Sequence, residues 1–187
     1  MARSKNYIEE EVIEKAMNLF WRNGYETTST RMLEKEMGIN QFSIYSSFGN
    51  KQGVFLESIK CYEKKIKSIT DKLKASPNGV QGIKQYFYDF IEFSNDSEHP
   101  KGCMITNAAN ELGENADPVV MDEIMTFSGN IRNLFRDKLK QNSIKNEETL
   151  DKQANYLIIA MIGLSSASKL FNEGELADYI ETTFEQL

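Results

Sequence analysis

Apolar residues recur every three or four positions almost from end to end, and no stretch alternates with the period of two that marks a half-buried strand. The pattern predicts an all-α chain of about nine helices. The first starts near Tyr7, with Asn6 as its cap and Glu9 as the reciprocal partner. Its stripe is Ile8, Val12, Ala16, Leu19 and Phe20, and Gly24 closes it as a left-handed cap. A second spans Thr30 to Met37 with Met32, Leu33 and Met37 inward, and Gly38 supplies the turn. The third is short, Gln41 to Ser47, capped by Asn40, with Ile44 and Phe48 on one face. A long fourth helix runs from Lys51 to about Ala75. Its apolar positions, Phe55, Ile59, Tyr62, Ile66, Ile69 and Leu73, form a narrow stripe suited to a bundle.

Ser76-Pro77-Asn78-Gly79 then breaks the chain. Helices come next over Val80–Ser94, rich in aromatics, over Gly102–Leu112, closed by Gly113, and over Pro118–Gln141, with Val120, Ile124, Phe127, Ile131 and Leu134 inward. The eighth, Glu147–Phe171, is apolar nearly all round from Tyr156 to Leu164, so it must be covered on several faces. Its small residues Gly163, Ser165, Ser166, Ala167 and Ser168 would admit a close neighbour. Gly174 breaks the chain before a last helix with Leu176, Tyr179, Ile180 and Phe184 inward.

The first three helices cover too few residues to bury a core of their own, so they must lean on the fourth helix and the body beyond it. Gly24-Tyr25 through Lys51 reads as helix end, turn, short helix, tight turn, short helix and the start of a long one. That is the order of a helix-turn-helix, which seats its second helix in the DNA major groove. The net charge of -6 is unusual for such a protein. Residues 1–60 are balanced, eight Lys/Arg against eight Asp/Glu, and all the excess acid lies in residues 61–187. Because charges are screened beyond roughly 8 Å, a neutral head on an acidic body can still bind DNA, with weak non-specific affinity.

The residues Ala16, Leu19-Phe20, Gly24-Tyr25, Thr28-Ser29, Gly38-Ile39, Ser43-Ile44-Tyr45, Phe48, Lys51 and Phe55 resemble the N-terminal domain of the TetR family of bacterial repressors. The resemblance implies a helix-turn-helix DNA-binding domain over residues 1–50 and a helical ligand-binding and dimerisation domain over 51–187. Thr28, Ser29 and Thr30, at the start of the second helix, are placed to hold a phosphate with hydroxyls and free amides. Tyr45 and Lys51 are placed for further phosphates. Gln41, Phe42, Ser43 and Ser46, with Arg31, are the candidate base readers: Gln41 for adenine, Arg31 for guanine, Phe42 against a thymine methyl. The usual family pattern has a basic and then a small residue where Gln41 and Phe42 stand, and often His at Ser46 or Ser47, so this chain departs from it at the reading surface.

Lys101-Gly102-Cys103-Met104-Ile105-Thr106-Asn107, with Glu111-Leu112 after it, is similar to a glycine–cysteine segment of one TetR subgroup that includes regulators of efflux and detoxification genes. The ligand-binding candidates are Phe87, Phe90, Cys103, Met104, Asn107, Met121, Met125, Phe127 and Tyr156, an apolar set for a small apolar or aromatic ligand. Cys103 could instead react as a thiolate with an electrophile or oxidant; His99, the only histidine, lies four residues away across Pro100. Ile158, Ile162, Leu170 and Ile180 are expected in a four-helix interface between two copies.

The expectation is a homodimeric, ligand-released repressor of a two-fold operator, with a transcriptional activator or a Cys103-based sensor as the alternative. No acid–base pair or metal-spaced cluster points to an enzyme, a cofactor or a metal. The polar start and the absence of a membrane-length apolar run lead to an expected cytoplasmic location, without a membrane partner.

Overall fold

The computed structural model describes residues 7–95, 100–112, 117–141, 144–185 and 187. Among them are nine helices and no strand: α1 Glu9–Asn23, α2 Thr30–Met37, α3 Gln41–Phe48, α4 Lys51–Ala75, α5 Gly79–Ser94, α6 Met104–Glu111, α7 Pro118–Lys140, α8 Glu147–Ala167 and α9 Glu173–Glu185. None of them is long and apolar enough to cross a membrane. Asn6, His99 and Gly113 lie outside the described residues.

Most helices open on a short polar side chain that accepts an amide of the first turn: Ser29, Asn40, Asn50, Asn78, Asp117 and Asn146. The first is different. It starts at Glu9 rather than Tyr7, with Ile8 at the cap position and no side-chain cap; Glu9, Glu10 and Glu11 answer the free amides through their charge. Gly24 does end α1, and its amide reaches Phe20 O, but its φ of 84° comes with an extended ψ of 173°, not the left-handed helical value. Gly174 does not break the chain either; it sits in the first turn of α9, and α8 stops at Ala167. On α7 the inward position is Phe135, fully buried, while Leu134 is half-exposed.

The layout centres on α4. It packs against α1 and α3 on the N-terminal side and against α5, α6 and α7 beyond, while α8 and α9 close the far side through α7 and α5. Phe20 and Phe55 meet edge-on at 5.0 Å, and Trp21 meets Tyr62 at 5.1 Å and Phe93 at 5.3 Å. The far end of α4 is held by buried Lys138, whose Nζ donates to Lys74 O at 2.6 Å and Ser76 O at 2.9 Å, satisfying carbonyls that a helix end leaves open.

Close to that lysine the chain needs a glycine. A Cβ on Gly79 would lie 1.8 Å from Lys138 O, whereas one on Gly129, midway along α7, would meet nothing within 4 Å. Gly79→Ala is therefore expected to cost about 1–3 kcal/mol through forced backbone movement. Gly129→Ala should gain about 0.5–1 kcal/mol from helix propensity alone. Urea titration of the two variants checks the pair.

Candidate nucleic-acid interface

Helices α2 and α3 cross over a small apolar contact in which Leu33, Met37 and Ile44 are buried. Gly38, at φ 70° in the left-handed region, makes the turn between them, and its amide returns to Glu34 O at 3.0 Å. Ser29 caps α2 through the Met32 amide, and Asn40 caps α3 through the Ser43 amide at 2.9 Å. A second restraint comes from outside: the Tyr7 hydroxyl lies 2.7 Å from Ser47 Oγ and donates to Ser43 O at 3.4 Å, tying the approach to α1 onto α3. No local pattern announces that tie, because 36 to 40 residues separate its partners.

The outer face of this unit presents Arg31, Gln41, Phe42, Tyr45 and Ser46, all exposed, with Ser43 half-buried between them. Phe42 is 82% exposed, the most open aromatic among the large exposed apolar residues. Gln41 Nε2 donates to the Tyr45 hydroxyl at 2.7 Å, an i,i+4 pair that holds both side chains on the same face. The Glu34 carboxylate accepts the Gln41 amide, so the first donor of α3 already has an anion on it. Ser29 is exposed at the start of α2, and Thr30 is half-buried beside it.

Two expected members of the surface are placed otherwise. Thr28 is fully buried, and its hydroxyl donates to Gly24 O at 2.6 Å, so it fastens the α1–α2 turn from inside and has no group to offer a phosphate. Lys51 is half-buried, donates to Glu26 O at 3.3 Å and lies 4.4 Å above the Tyr25 ring. Burial draws its pKa below the usual lysine value, against the opposing pull of Glu26 and Glu111. Arg22 is paired with Glu36 at 2.8 Å. The only Lys or Arg on α2 and α3 are Arg31 and Lys35, both exposed.

In the body, a narrow cavity of about 30 Å³ lies between α4, α5, α6, α7 and α8, with Phe90, Cys103 and Phe127 in its wall beside Tyr86 and Met161. Cys103 Sγ accepts the Tyr62 hydroxyl at 3.5 Å, and its amide donates to Ser165 Oγ at 2.8 Å. The other expected ligand contacts are elsewhere. Phe87 is core, packed on Phe135 and Phe184. Met104 is buried outside the lining, and Asn107 spans Lys101 O and Lys169 at the surface. Met121 is half-buried, while Met125 at 64% and Tyr156 at 47% face outward. The strip of exposed apolar residues on α8 and beyond comprises Tyr156, Ile159, Ile162 and Leu170. Ile180, expected to face a second copy, is only 1% exposed and belongs to the core of its own chain; Ile158 lines the cavity.

Residues 12–58, which hold most of α1, all of α2 and α3 and the start of α4, match the family model of bacterial regulatory proteins, tetR family. The chain carries a TetR-family DNA-binding domain over those residues. It is therefore a DNA-binding transcriptional regulator and not an enzyme. It is 27% identical to the uncharacterized HTH-type transcriptional regulator YezE of Bacillus subtilis over 194 residues, covering all of both chains. It is 21% identical to IcaR of Staphylococcus aureus, a negative regulator of the biofilm operon icaADBC, over 68% of this chain and 69% of that one. In fold it is similar to a cysteine mutant of the TetR-family regulator CifR, solved with 26-base-pair double-strand operator DNA, at a TM-score of 0.88 and 23% identity over 98% of each chain.

The buried state of Thr28 separates stability from phosphate contact. Thr28→Val removes the donor from a buried carbonyl and should cost about 1–3 kcal/mol in urea titration. The slope of log affinity against log salt for DNA binding should stay as in the wild type, because no phosphate contact is lost.

Proposed function

We propose that this regulator is a repressor that grips a two-fold operator as a homodimer and lets go when a small uncharged ligand enters the body. The observation that carries the reading is the exposed face of α3 with Arg31 beside it: Gln41, Phe42, Tyr45 and Ser46 stand together on a helix fixed by buried Leu33, Met37 and Ile44. The exposed Phe42 ring is suited to a thymine methyl, next to a Gln41 side-chain amide that can bond adenine. Ser29 and Thr30, at the open end of α2, and Tyr45 are the phosphate-holding groups in this reading. Residues 1–50 act as the reading head and 51–187 as the body. IcaR is named a negative regulator, and the CifR mutant was solved on operator DNA; both support the direction of the reading. A regulator of this kind works in the cytoplasm, where its DNA is.

Two copies join through the outer strip of Tyr156, Ile159, Ile162 and Leu170, with Tyr179 of α9 at its side. The heads then face half-sites about 34–36 Å apart, one turn of DNA. The ligand enters the cavity behind Phe90, Cys103 and Phe127. As it stands that cavity, at about 30 Å³, has room for one or two waters and is far below the roughly 300 Å³ of a ligand pocket, so binding has to open it. Its lining carries hydroxyls and apolar groups but no Asp, Glu, Lys or Arg, which favours an uncharged apolar or aromatic compound. To swing the operator from nearly full to nearly empty, the ligand must prefer the released state by about 5.5 kcal/mol. A second reading uses the same wall: Cys103 faces the cavity with the Tyr62 hydroxyl on its sulfur, so covalent modification there would also force the cavity open. In that case Cys103→Ser abolishes release by thiol-reactive compounds and leaves operator binding intact.

Selection from random duplex DNA with the full chain tests the function directly. The expected product is an inverted repeat, and Gln41→Ala should relax one base position of each half-site by about 1–3 kcal/mol. Recovery of no enriched sequence at low salt would overturn the reading. For the interface, Ile159→Glu places a charge on a residue 67% exposed in the single chain, so folding should survive while sedimentation shifts from dimer to monomer.

A further inference from the structure

We infer that Glu111 is a positioning residue that sets the angle of the DNA-reading head on the body, and with it the distance between the two heads of a dimer. The inference rests on the reading of α3 as the DNA-contacting helix. The turn from Gly24 to Ser29 joins α1 to α2 and so aims the whole helix-turn-helix. Inside the turn, the Gly24 amide donates to Phe20 O at 2.8 Å and the Thr28 hydroxyl to Gly24 O at 2.6 Å. From outside it is held by a side chain 85 residues away: Glu111 Oε2 accepts the Glu26 amide at 3.0 Å.

The other carboxylate oxygen lies where a side chain at residue 24 would begin. A Cβ on Gly24 would stand 1.5 Å from Glu111 Oε1, at a backbone φ of +84° that already favours glycine. Gly24 thus has two roles, the turn itself and the seat for the carboxylate. Glu111 is the last residue of α6, and the segment around that helix meets the head again through Trp21 and the first turn of α4 through Gln52. Trp21 Nε1 donates to Gly102 O at 2.9 Å just before it, and Gln52 Nε2 donates to Asp117 Oδ1 at 2.9 Å just after it. The Trp21 bond is buried and part of the core. Glu111 is exposed, so its contribution to orientation can be separated from folding. A carboxylate on a backbone amide is a charge-assisted bond, stronger and more directional than a neutral one.

A stiff strut makes two linked heads favour one spacing, and a loose one spreads them over several. The test uses the full-length protein, an operator obtained by selection, and versions of it with one base pair added or removed between the half-sites, read by fluorescence anisotropy. Glu111→Ala should lose about tenfold of the preference for the original spacing. Its melting temperature should stay close to that of the wild type. Glu111→Gln, which keeps an oxygen on the Glu26 amide, should retain most of the preference. Independently of DNA, the Glu26 amide should exchange with deuterium about tenfold faster in Glu111→Ala, with the Leu33 amide unchanged. Spacing preference in Glu111→Ala equal to that of the wild type, or a loss that only tracks a fall in melting temperature, overturns the strut. Wild-type protein that binds no duplex at any spacing sinks the DNA-contact reading and the strut with it, and so differs from the case in which the wild type discriminates and the variant does so equally.

Discussion

The structure depends on a core that the head cannot make alone. Three short helices bury only a few large side chains between them, and α1 solves the shortage by placing Phe20 and Trp21 against Phe55 and Tyr62 of α4 and Phe93 of α5. Helix α4 is thereby the fourth wall of the reading unit and the central helix of the body at once. Tyr62 then lies 6.0 Å from Phe127, whose ring is in the cavity wall. Two ring contacts join the head to the site where a ligand would enter. Because interiors are packed as densely as organic crystals, a body placed in that cavity has to displace these rings or their neighbours. The cavity is small for the same reason that the head is well anchored.

Electrostatics on the reading side are spare. Helix α3 carries no Lys or Arg, its first amide is occupied by Glu34, and Lys51 is folded back over Tyr25. Non-specific affinity for DNA comes almost wholly from phosphate neutralisation, so a surface like this one has little of it. What it presents is shape and hydrogen-bond groups: the Gln41 amide, the Phe42 ring and the Tyr45 and Ser46 hydroxyls. Discrimination between sequences can be large with such groups while the total affinity stays moderate, since base edges and not phosphates distinguish one site from another.

Local sequence rules located α2, α3 and α4 to within a residue, because each is bounded by signals that act over three or four positions: a capping Ser or Asn, a glycine with positive φ, a break at Ser76-Pro77. They also identified Leu33, Ile44 and Phe55 as core. They failed where packing, and not local pattern, decides which way a side chain faces. Thr28 has the composition of a phosphate site and is turned inward by the carbonyl of Gly24. Met125 and Tyr156 have the composition of a pocket and face out, and on α7 the fully buried position is Phe135 while Leu134 packs only partly against the core. The ties that fix the head, Tyr7 to Ser47, Trp21 to Gly102 and Glu26 to Glu111, join residues 40 or more apart and leave no trace in periodicity.

Helix α8 shows how one all-apolar segment divides its work. Its inner side, Leu157, Met161 and Leu164, is core, and Ile158 with Met161 borders the cavity. Part of the run of small residues at its C-terminal end serves the chain itself: Ser165 and Ser168 are buried, while Gly163 and Ser166 stay exposed. A Cβ on Gly102 would stand 2.7 Å from Ser165 O, so that glycine lets the lead into α6 lie directly on α8, where Ser165 Oγ takes the Cys103 amide. Tyr179 of α9 reaches Ala160 O at 3.2 Å on another side. That leaves Ile159 and Ile162 outside, and Ile162 also borders the cavity, so the wall between cavity and outer strip is a single helix thick. A second copy seated on the strip would brace that wall, and an opened cavity would push against the brace. If the cavity opens by moving α8, ligand affinity and dimer affinity are linked by thermodynamic necessity, each altered by the other by the same factor.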